Sequence, residues 1–184
     1  NNLEFKRGGV NLNARHRINE SSDINFDLDY VKFSIANDQN YQTQLVAPGS
    51  IISATKGNTP STLNILTAKV DYSRRFKKFV LESGLKTAIN KTDNVADYYY
   101  FDNNSWKSDL SRSNHFLYNE KISAAYASVD AEKSKWHWQV GLRYEVTSYK
   151  AHQLGNAVVI DSAFKKELWQ LVPDCFCFLQ GRQQ

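Results

Sequence analysis

The chain has 184 residues, enough for one domain or for part of a larger one. No stretch approaches the run of about 18 apolar residues that a transmembrane helix needs, but strands that cross a membrane average out as hydrophilic. The mean hydropathy of −0.56 therefore excludes a helical membrane protein and leaves a β-barrel open. The net charge of +4 comes from scattered lysines and arginines, so we expect no nucleic-acid partner.

Aromatic residues make up 13% of the chain, a share that favours strands and membrane interfaces over helices. The two cysteines, Cys175 and Cys177, are two positions apart and fall on one face of a strand. That spacing suits neither a disulfide nor a complete metal site. We expect both to act as small apolar side chains, and we expect no cofactor.

The first two strands are predicted over Val10–Ile18 and Ile24–Ile35, with a short polar turn at 19–23. In the second strand the apolar residues occupy even positions up to Tyr30 and odd positions afterwards. This change of parity predicts a bulge or a strand end near Tyr30.

The middle of the chain is predicted as two strands between long polar connections. These are, in chain order, a loop over 36–61, a strand over Thr62–Ser73, a short basic turn at 74–78, a strand over Phe79–Ile89 and a loop over 91–113.

The last third is predicted as three strands. They span His115–Val129, Trp136–Ser148 and Leu168–Leu179, with a short turn at 131–135 and a third long loop at 151–164. Short and long connections thus alternate along the chain, as in transmembrane barrels with short periplasmic turns and long outer loops.

The strand Trp136–Ser148, WHWQVGLRYEVTS, alternates apolar and polar residues over thirteen positions. An ordinary half-buried strand keeps this pattern for about four to eight residues. One face of this strand carries charges and the other carries none, which is typical of a wall between lipid and a wet lumen.

These patterns predict an all-β fold: an antiparallel transmembrane β-barrel segment of about seven to eight long strands. Two alternatives share the alternation. One is a soluble β-sandwich that binds carbohydrate or another ligand through aromatic loops. The other is a small eight-stranded outer-membrane pore or adhesin.

Several segments occur in an order and spacing that resemble the barrel portion of outer-membrane β-barrel proteins related to TonB-dependent receptors. The resemblance is strongest from 67 to 148. Its motifs are AKVDYSRRF (68–76), LESGLKTA (81–88), KTDN (91–94), SNHFLYNEKISAAYAS (113–128) and WQVGLRYEVTS (138–148).

This resemblance implies an outer-membrane protein in which the chain supplies part of a receptor or transporter wall, in contact with outer-membrane lipid. Such barrels have about twenty-two strands around a plug. Residues 1–184 then form a single barrel segment without a plug. The parent protein would supply the rest of the barrel, the plug domain and contact with a TonB-type energy-coupling partner. The Asn-Asn start and the polar end at Gln184 likewise predict a fragment.

Charged and polar residues on the predicted strands are candidates for the lumen face. They would either contact a plug or a solute, or form ion pairs that stiffen the wall. The candidates are Glu82, Lys86, His137, Arg143 and Glu145.

Aromatic residues give two further sets of candidates. An interfacial girdle is expected from Trp136, Trp138, Phe116 and Tyr118, and outer-loop contacts to a ligand from Tyr98, Tyr99, Tyr100 and Trp106. Glu120 shares the parity of Phe116 and Tyr118, which would turn it toward lipid, and the sequence leaves its orientation open.

No catalytic motif is present: the chain has no G-x-S-x-G elbow, no H-E-x-x-H and no phosphate-binding glycine loop. His137 is the best general base by chemistry, but a polar wall residue is the simpler interpretation. The acidic stretch 93–109 lacks the spacing of a calcium loop and is expected to be a solvated outer loop. We therefore expect no enzyme activity.

Overall fold

The computed structural model of the protein describes residues 2–44, 51–133 and 136–179. They form nine strands: β1 (Asn2–Asn19), β2 (Ser22–Gln44), β3 (Ile51–Asn58), β4 (Ser61–Arg75), β5 (Phe79–Asp102), β6 (Ser105–Ser108), β7 (Asn114–Lys133), β8 (Trp136–Leu154) and β9 (Ser162–Leu179). Within this part of the chain, no helix has the length and hydrophobicity to span a bilayer.

The strands form one antiparallel sheet in which neighbours in sequence are mostly neighbours in space. β3 and β4 both lie between β2 and β5, and their registers are continuous. They are one descending strand interrupted at Pro60, which has no N–H to donate to the ladder. The wall is therefore seven strands wide, and the predicted all-β antiparallel fold is confirmed.

The predicted long loops are shorter than expected because the strands continue into them. β2 runs on to Gln44 and β5 to Asp102. At the tip of β5, Asn103 and Asn104 have φ of 47° and 61°, the left-handed backbone that a two-residue hairpin requires. The loop Pro48-Gly49, the turn residues 134–135 and the polar tail from 180 onward fall outside the described residues.

No bulge or strand end occurs at Tyr30, so that prediction is wrong. The ladders of β2 with β1 and with β4 run through Tyr30 without a register shift. The parity of the apolar residues changes because they change faces at this level of an unbroken strand. Beyond it, Val31 and Phe33 lie on the opposite face from Phe26 and Leu28.

The sheet has almost no core. Among the described side chains, only Ala54, Ala124, Ala151 and Ser22 are buried. Large apolar side chains stand exposed mostly on one face, where Leu85 is 64% accessible, although Phe5 on β1 and Phe176 on β9 are exposed on the other. A β-sandwich would bury such a face against a second sheet, and none is present in the described ranges. Nor do β1 and β9 pair there to close a small barrel, so neither alternative architecture is observed.

Candidate functional site

The register of the sheet sorts the side chains onto two faces. Cross-strand partners share a face, so each ladder carries the alternation of one strand to the next. All five predicted lumen residues fall on one face, which we call the polar face; they are Glu82, Lys86, His137, Arg143 and Glu145. The opposite face is called the apolar face.

The centre of the polar face is a connected group of charged and aromatic side chains. Lys69 forms an ion pair with Asp71 at 2.6 Å, and the hydroxyl of Tyr126 donates a hydrogen bond to the same carboxylate. The guanidinium of Arg143 lies over the ring of Tyr126 at 5.7 Å and pairs with Glu145 at 2.6 Å. These contacts tie β4, β7 and β8 together across β5.

Gly84 on β5 makes room for this group. A Cβ built at this position would lie 2.5 Å from Cζ of Tyr126 and 2.7 Å from Oδ1 of Asp71, well inside van der Waals contact. Only glycine therefore allows Tyr126 to reach Asp71 over β5. The sequence had shown Glu82 and Lys86 on either side of this residue without revealing what passes between them.

A second polar ladder joins β1 to β2 and was missed in the sequence. The amides of Asn11 and Asn13 donate to the carboxylates of Asp29 and Asp27, and Arg15 pairs with Asp23 at 2.7 Å. The signal was present in the sequence, because every second residue from Asp23 to Asp29 is polar and β1 has the same parity. Chain order alone does not show that these two rows face each other.

The other predicted polar residues have plainer surroundings. Glu82 lies opposite Ser73 and Ser128, while Lys86 lies opposite Lys69. His137 contacts Asp130 through Nε2 at 2.8 Å.

The apolar face carries a continuous hydrophobic band. On β8 the band runs from Trp136 to Val146, and Val140 and Leu142 in its middle are 53% and 51% exposed. Eleven strand residues rise about 33 Å, and the tilt of about 40° that is typical of transmembrane barrels reduces this to about 25 Å, the height of their apolar band. The band therefore has the dimensions of a bilayer core.

The predicted girdle divides between the two faces. Trp136 and Trp138 lie on the apolar face at the start of β8, where an interfacial girdle would lie. Phe116 and Tyr118 lie at the other end of the wall and on the polar face, in register with Gln153 and Ala151. The register therefore separates Phe116 and Tyr118 from the two tryptophans, and a girdle of all four residues stays a prediction.

Glu120 has its orientation decided by the same register. It lies on the polar face, accepts a hydrogen bond from Nδ2 of Asn90 at 2.9 Å and another from the Tyr118 hydroxyl at 3.3 Å. The sequence left this orientation open, because parity would turn Glu120 toward lipid only if Phe116 and Tyr118 faced lipid too. The aromatic rings beside it instead form a small polar-face cluster in which Tyr149 stands 6.1 Å from Tyr118 and 6.1 Å from Phe164.

Residues 16–178 match the outer membrane protein β-barrel family. The chain belongs to this family. Its location is therefore the outer membrane, as the sequence predicted. No curated protein sequence matches the chain significantly.

Solved receptor structures contain a sheet of the same shape. The chain superimposes on the ferric citrate transporter FecA with a TM-score of 0.68 at 11% identity, covering 97% of this chain and 25% of that one. For the ferric yersiniabactin uptake receptor FyuA from Yersinia pestis the TM-score is 0.69 at 11% identity, covering 95% of this chain and 26% of that one. For the siderophore receptor PiuA from Acinetobacter baumannii the TM-score is 0.70 at 13% identity, covering 96% of this chain and 30% of that one. At these identities the match shows the fold alone, and the chain spans less than a third of each receptor.

The aromatic residues expected in an outer loop of this barrel wall lie on strands instead. Tyr98, Tyr99 and Tyr100 pair with β3, and Trp106 belongs to β6. The ammonium of Lys56 lies 5.0 Å from the ring centre of Tyr99 and 4.7 Å from that of Trp106. The rings are thus held in place by the sheet and by a cation, with Tyr100 and Trp106 each 40% exposed.

The acidic and cysteine side chains of the described residues lie apart from one another. No group of three or more potential metal-binding side chains is found in the described ranges. The acidic residues between 93 and 109 have separate partners: Asp93 contacts His115, Asp102 pairs with Lys107, and Asp109 accepts from Ser111. The Ser111 hydroxyl holds the pKa of Asp109 below its ordinary value. Cys175 and Cys177 are free and exposed on the apolar face.

Proposed function

We propose that this chain is part of the membrane-spanning wall of an outer-membrane receptor or transporter. The apolar face contacts lipid, and the polar face lines the lumen. One observation carries the proposal: the hydrophobic band on one face has the height of a bilayer core, while the other face is crossed by ion pairs and hydrogen bonds. A charge on the lipid side would cost about 2–4 kcal/mol at mid-membrane for lysine or arginine, so the two faces are not interchangeable.

The remaining wall is supplied by the parent polypeptide. β1 and β9 each leave one edge unpaired within the described residues, and open sheet edges do not occur in the hydrocarbon region of a membrane. The similar receptors are three to four times as long as this chain. We therefore assign the plug domain, the rest of the barrel and contact with a TonB-type partner to the parent, and propose that this segment performs no catalysis.

Energy-coupled uptake of a solute is the activity that this wall would serve. FecA, FyuA and PiuA are named for ferric citrate, ferric yersiniabactin and siderophores, so a ferric chelate is the first solute to test. In this proposal the exposed ring of Tyr100, which lies on the polar face, contacts the arriving solute, whereas Trp106 is in register with Phe101 on the opposite face. The ion pairs around Arg143 stiffen the wall and border its path.

Cysteine labelling at adjacent residues tests the assignment of the faces. The natural polypeptide, with Cys175→Ser and Cys177→Ser, carries either Gln139→Cys on the polar face or Val140→Cys on the apolar face. In lipid vesicles a hydrophilic maleimide should label position 139 and spare position 140, and both should react after unfolding in dodecyl sulfate. Equal labelling of the two folded variants would contradict the membrane wall.

Uptake is tested in cells with and without the natural polypeptide. Accumulation of radioactive iron from ferric citrate and from a ferric catecholate is measured before and after a protonophore is added. Uptake that requires both the polypeptide and an energised membrane supports the receptor. Uptake that persists with the protonophore indicates a passive pore, and no dependence on the polypeptide for either chelate would contradict the proposal.

A further inference from the structure

Four lysines lie together on the apolar face where the hydrophobic band ends, on the side of the long connections. We call them the lysine cluster: Lys91, Lys121, Lys150 and Lys165. All four are exposed. The ion pairs that lysines form within the described residues are made by Lys6, Lys69 and Lys107.

The register brings the four side chains to one place. Lys150 lies directly opposite Lys165 on one side and Asn119 on the other, and Asn119 is flanked in turn by Lys91. Lys121 is two positions along β7 from Asn119, on the same face. Directly opposed Cβ atoms are about 4.5–5.5 Å apart and diagonal ones about 7–8 Å. Four flexible ammonium groups can therefore converge above Asn119.

None of the four lysines forms an ion pair with a carboxylate of the described residues. Like charges directly opposite each other destabilise a sheet. Lys69 and Lys86 are also opposed, on the polar face, but there Asp71 pairs with Lys69. Beside the lysine cluster, Glu167 accepts a hydrogen bond from Nε1 of Trp169 at 3.1 Å, and Asp93 is engaged by His115. The cluster is thus arranged for an anion from outside the sheet.

Two depressions on the same face adjoin the cluster. One, of about 370 Å³, lies between Asn119, Lys150 and Lys165. The other, of about 900 Å³, is a groove floored by small side chains, among them Ala68, Ser123 and Ala125, and bordered by the larger Phe26, Leu85 and Tyr144. From Ser123 at the edge of the groove to Lys121 is one same-face step on β7, about 7 Å.

We propose that the lysine cluster binds the phosphate groups of an outer-leaflet lipid, whose acyl chains lie in the adjoining groove. The inference rests on the proposed membrane wall, since only there does this face meet lipid. A charged pocket directly above a hydrocarbon groove fits a molecule that joins phosphate to acyl chains. A soluble phosphate would use the lysines and leave the groove unoccupied.

Native mass spectrometry of the purified natural polypeptide tests the site. The probes are bis-phosphorylated lipid A and phosphatidylcholine, added to the protein in detergent. The variant is Lys121→Gln with Lys150→Gln. Its matched control, Lys78→Gln with Lys133→Gln, removes two exposed lysines at the other end of the wall. Lipid A should be retained by the natural protein and the control, and its apparent affinity for the variant should fall by about tenfold.

Each result decides the inference. Equal loss of lipid A in variant and control, or equal retention of phosphatidylcholine and lipid A by the natural protein, would overturn it. Complete displacement by excess inorganic phosphate would show a soluble-anion site instead. Unchanged heat-modifiable migration in gels shows that the variants are folded. The labelling of positions 139 and 140 reports on the wall independently, so the wall can stand while the lipid site fails.

Discussion

Replacing Gly84 with alanine should destabilise the barrel wall, because a Cβ there meets Tyr126 and Asp71 at 2.5–2.7 Å. Both atoms belong to the ends of side chains, so they can move apart, but the hydrogen bond between them is then lost. A hydrogen bond to a charged group contributes about 1.5–3 kcal/mol, with the lower end expected on a wet face. Replacing glycine by alanine returns about 0.4–1 kcal/mol of chain entropy. The expected net loss is about 1 kcal/mol.

Gly8→Ala is the matched control. A Cβ at Gly8 has nothing within 4 Å, so only the entropic gain remains and the free energy of unfolding should be unchanged or slightly higher. Combining Gly84→Ala with Tyr126→Ala removes the larger obstacle. The double variant should therefore lose less stability than the two single losses added together.

The assay is urea unfolding of the natural polypeptide in lipid vesicles, followed by tryptophan fluorescence. Both alanine variants should keep the same dependence on urea, because the surface exposed on unfolding does not change. Equal stability of Gly84→Ala and Gly8→Ala would refute the reasoning. So would simple additivity of Gly84→Ala and Tyr126→Ala, since it would show that these two residues do not compete for the same space.

Three further outcomes follow from the structure. Leu142→Arg, in the middle of the apolar band, should lower the free energy of unfolding in vesicles by about 2–4 kcal/mol, whereas Gln139→Arg on the polar face should change it by about 0.5 kcal/mol or less; equal costs would contradict the face assignment. Asn156→Ala removes an acceptor for the N–H groups of Val158 and Val159 and a donor to the Leu110 carbonyl, so exchange of those two amides should accelerate without loss of global stability; unchanged exchange would count against this role. The His152 side chain and the Gly155 N–H hold the pKa of Asp161 below its ordinary value. A carboxyl group with a lowered pKa stabilises the fold at any pH above its unfolded-state pKa, and this stabilisation is lost as the pH falls through the folded-state pKa. The Gly155 amide signal should therefore shift only in that acid range, and Asp161→Asn should abolish the shift.

The alternation of β8 was sufficient to predict its two faces from the sequence, because strand side chains alternate with a fixed period of two. Its thirteen positions exceed what a half-buried strand shows, and only one face carries charges. The same rule placed Glu82, Lys86, Arg143 and Glu145 on one side, since each lies on a strand with clear parity. Short turns at 19–23 and 74–78 were likewise visible from their polar residues.

The same rule failed on β7, where the apolar and the polar side chains exchange faces part-way along the strand. After Lys121 the side chains that β7 contributes to the apolar face include the small Ala125 and Ala127, whereas the bulky Phe116, Tyr118 and Tyr126 lie on the polar face. Hydrophobic size therefore indicated the wrong side. Only the pairing with β8, whose faces are unambiguous, places Phe116, Tyr118 and Glu120 on the polar face.

The sequence by itself determined the class of this protein: strands of membrane-crossing length, their order, and two faces that differ in charge. These depend on local alternation and on turn residues, which act over a few positions. Only the tertiary structure decided which rows meet across the sheet. Asp71 and Tyr126 are 55 positions apart in the chain, and Lys91 and Lys150 are 59 apart. Both groupings exist only because the ladder register aligns them. Register is a long-range property, because it is fixed by pairing between strands and carries no signal within any one of them.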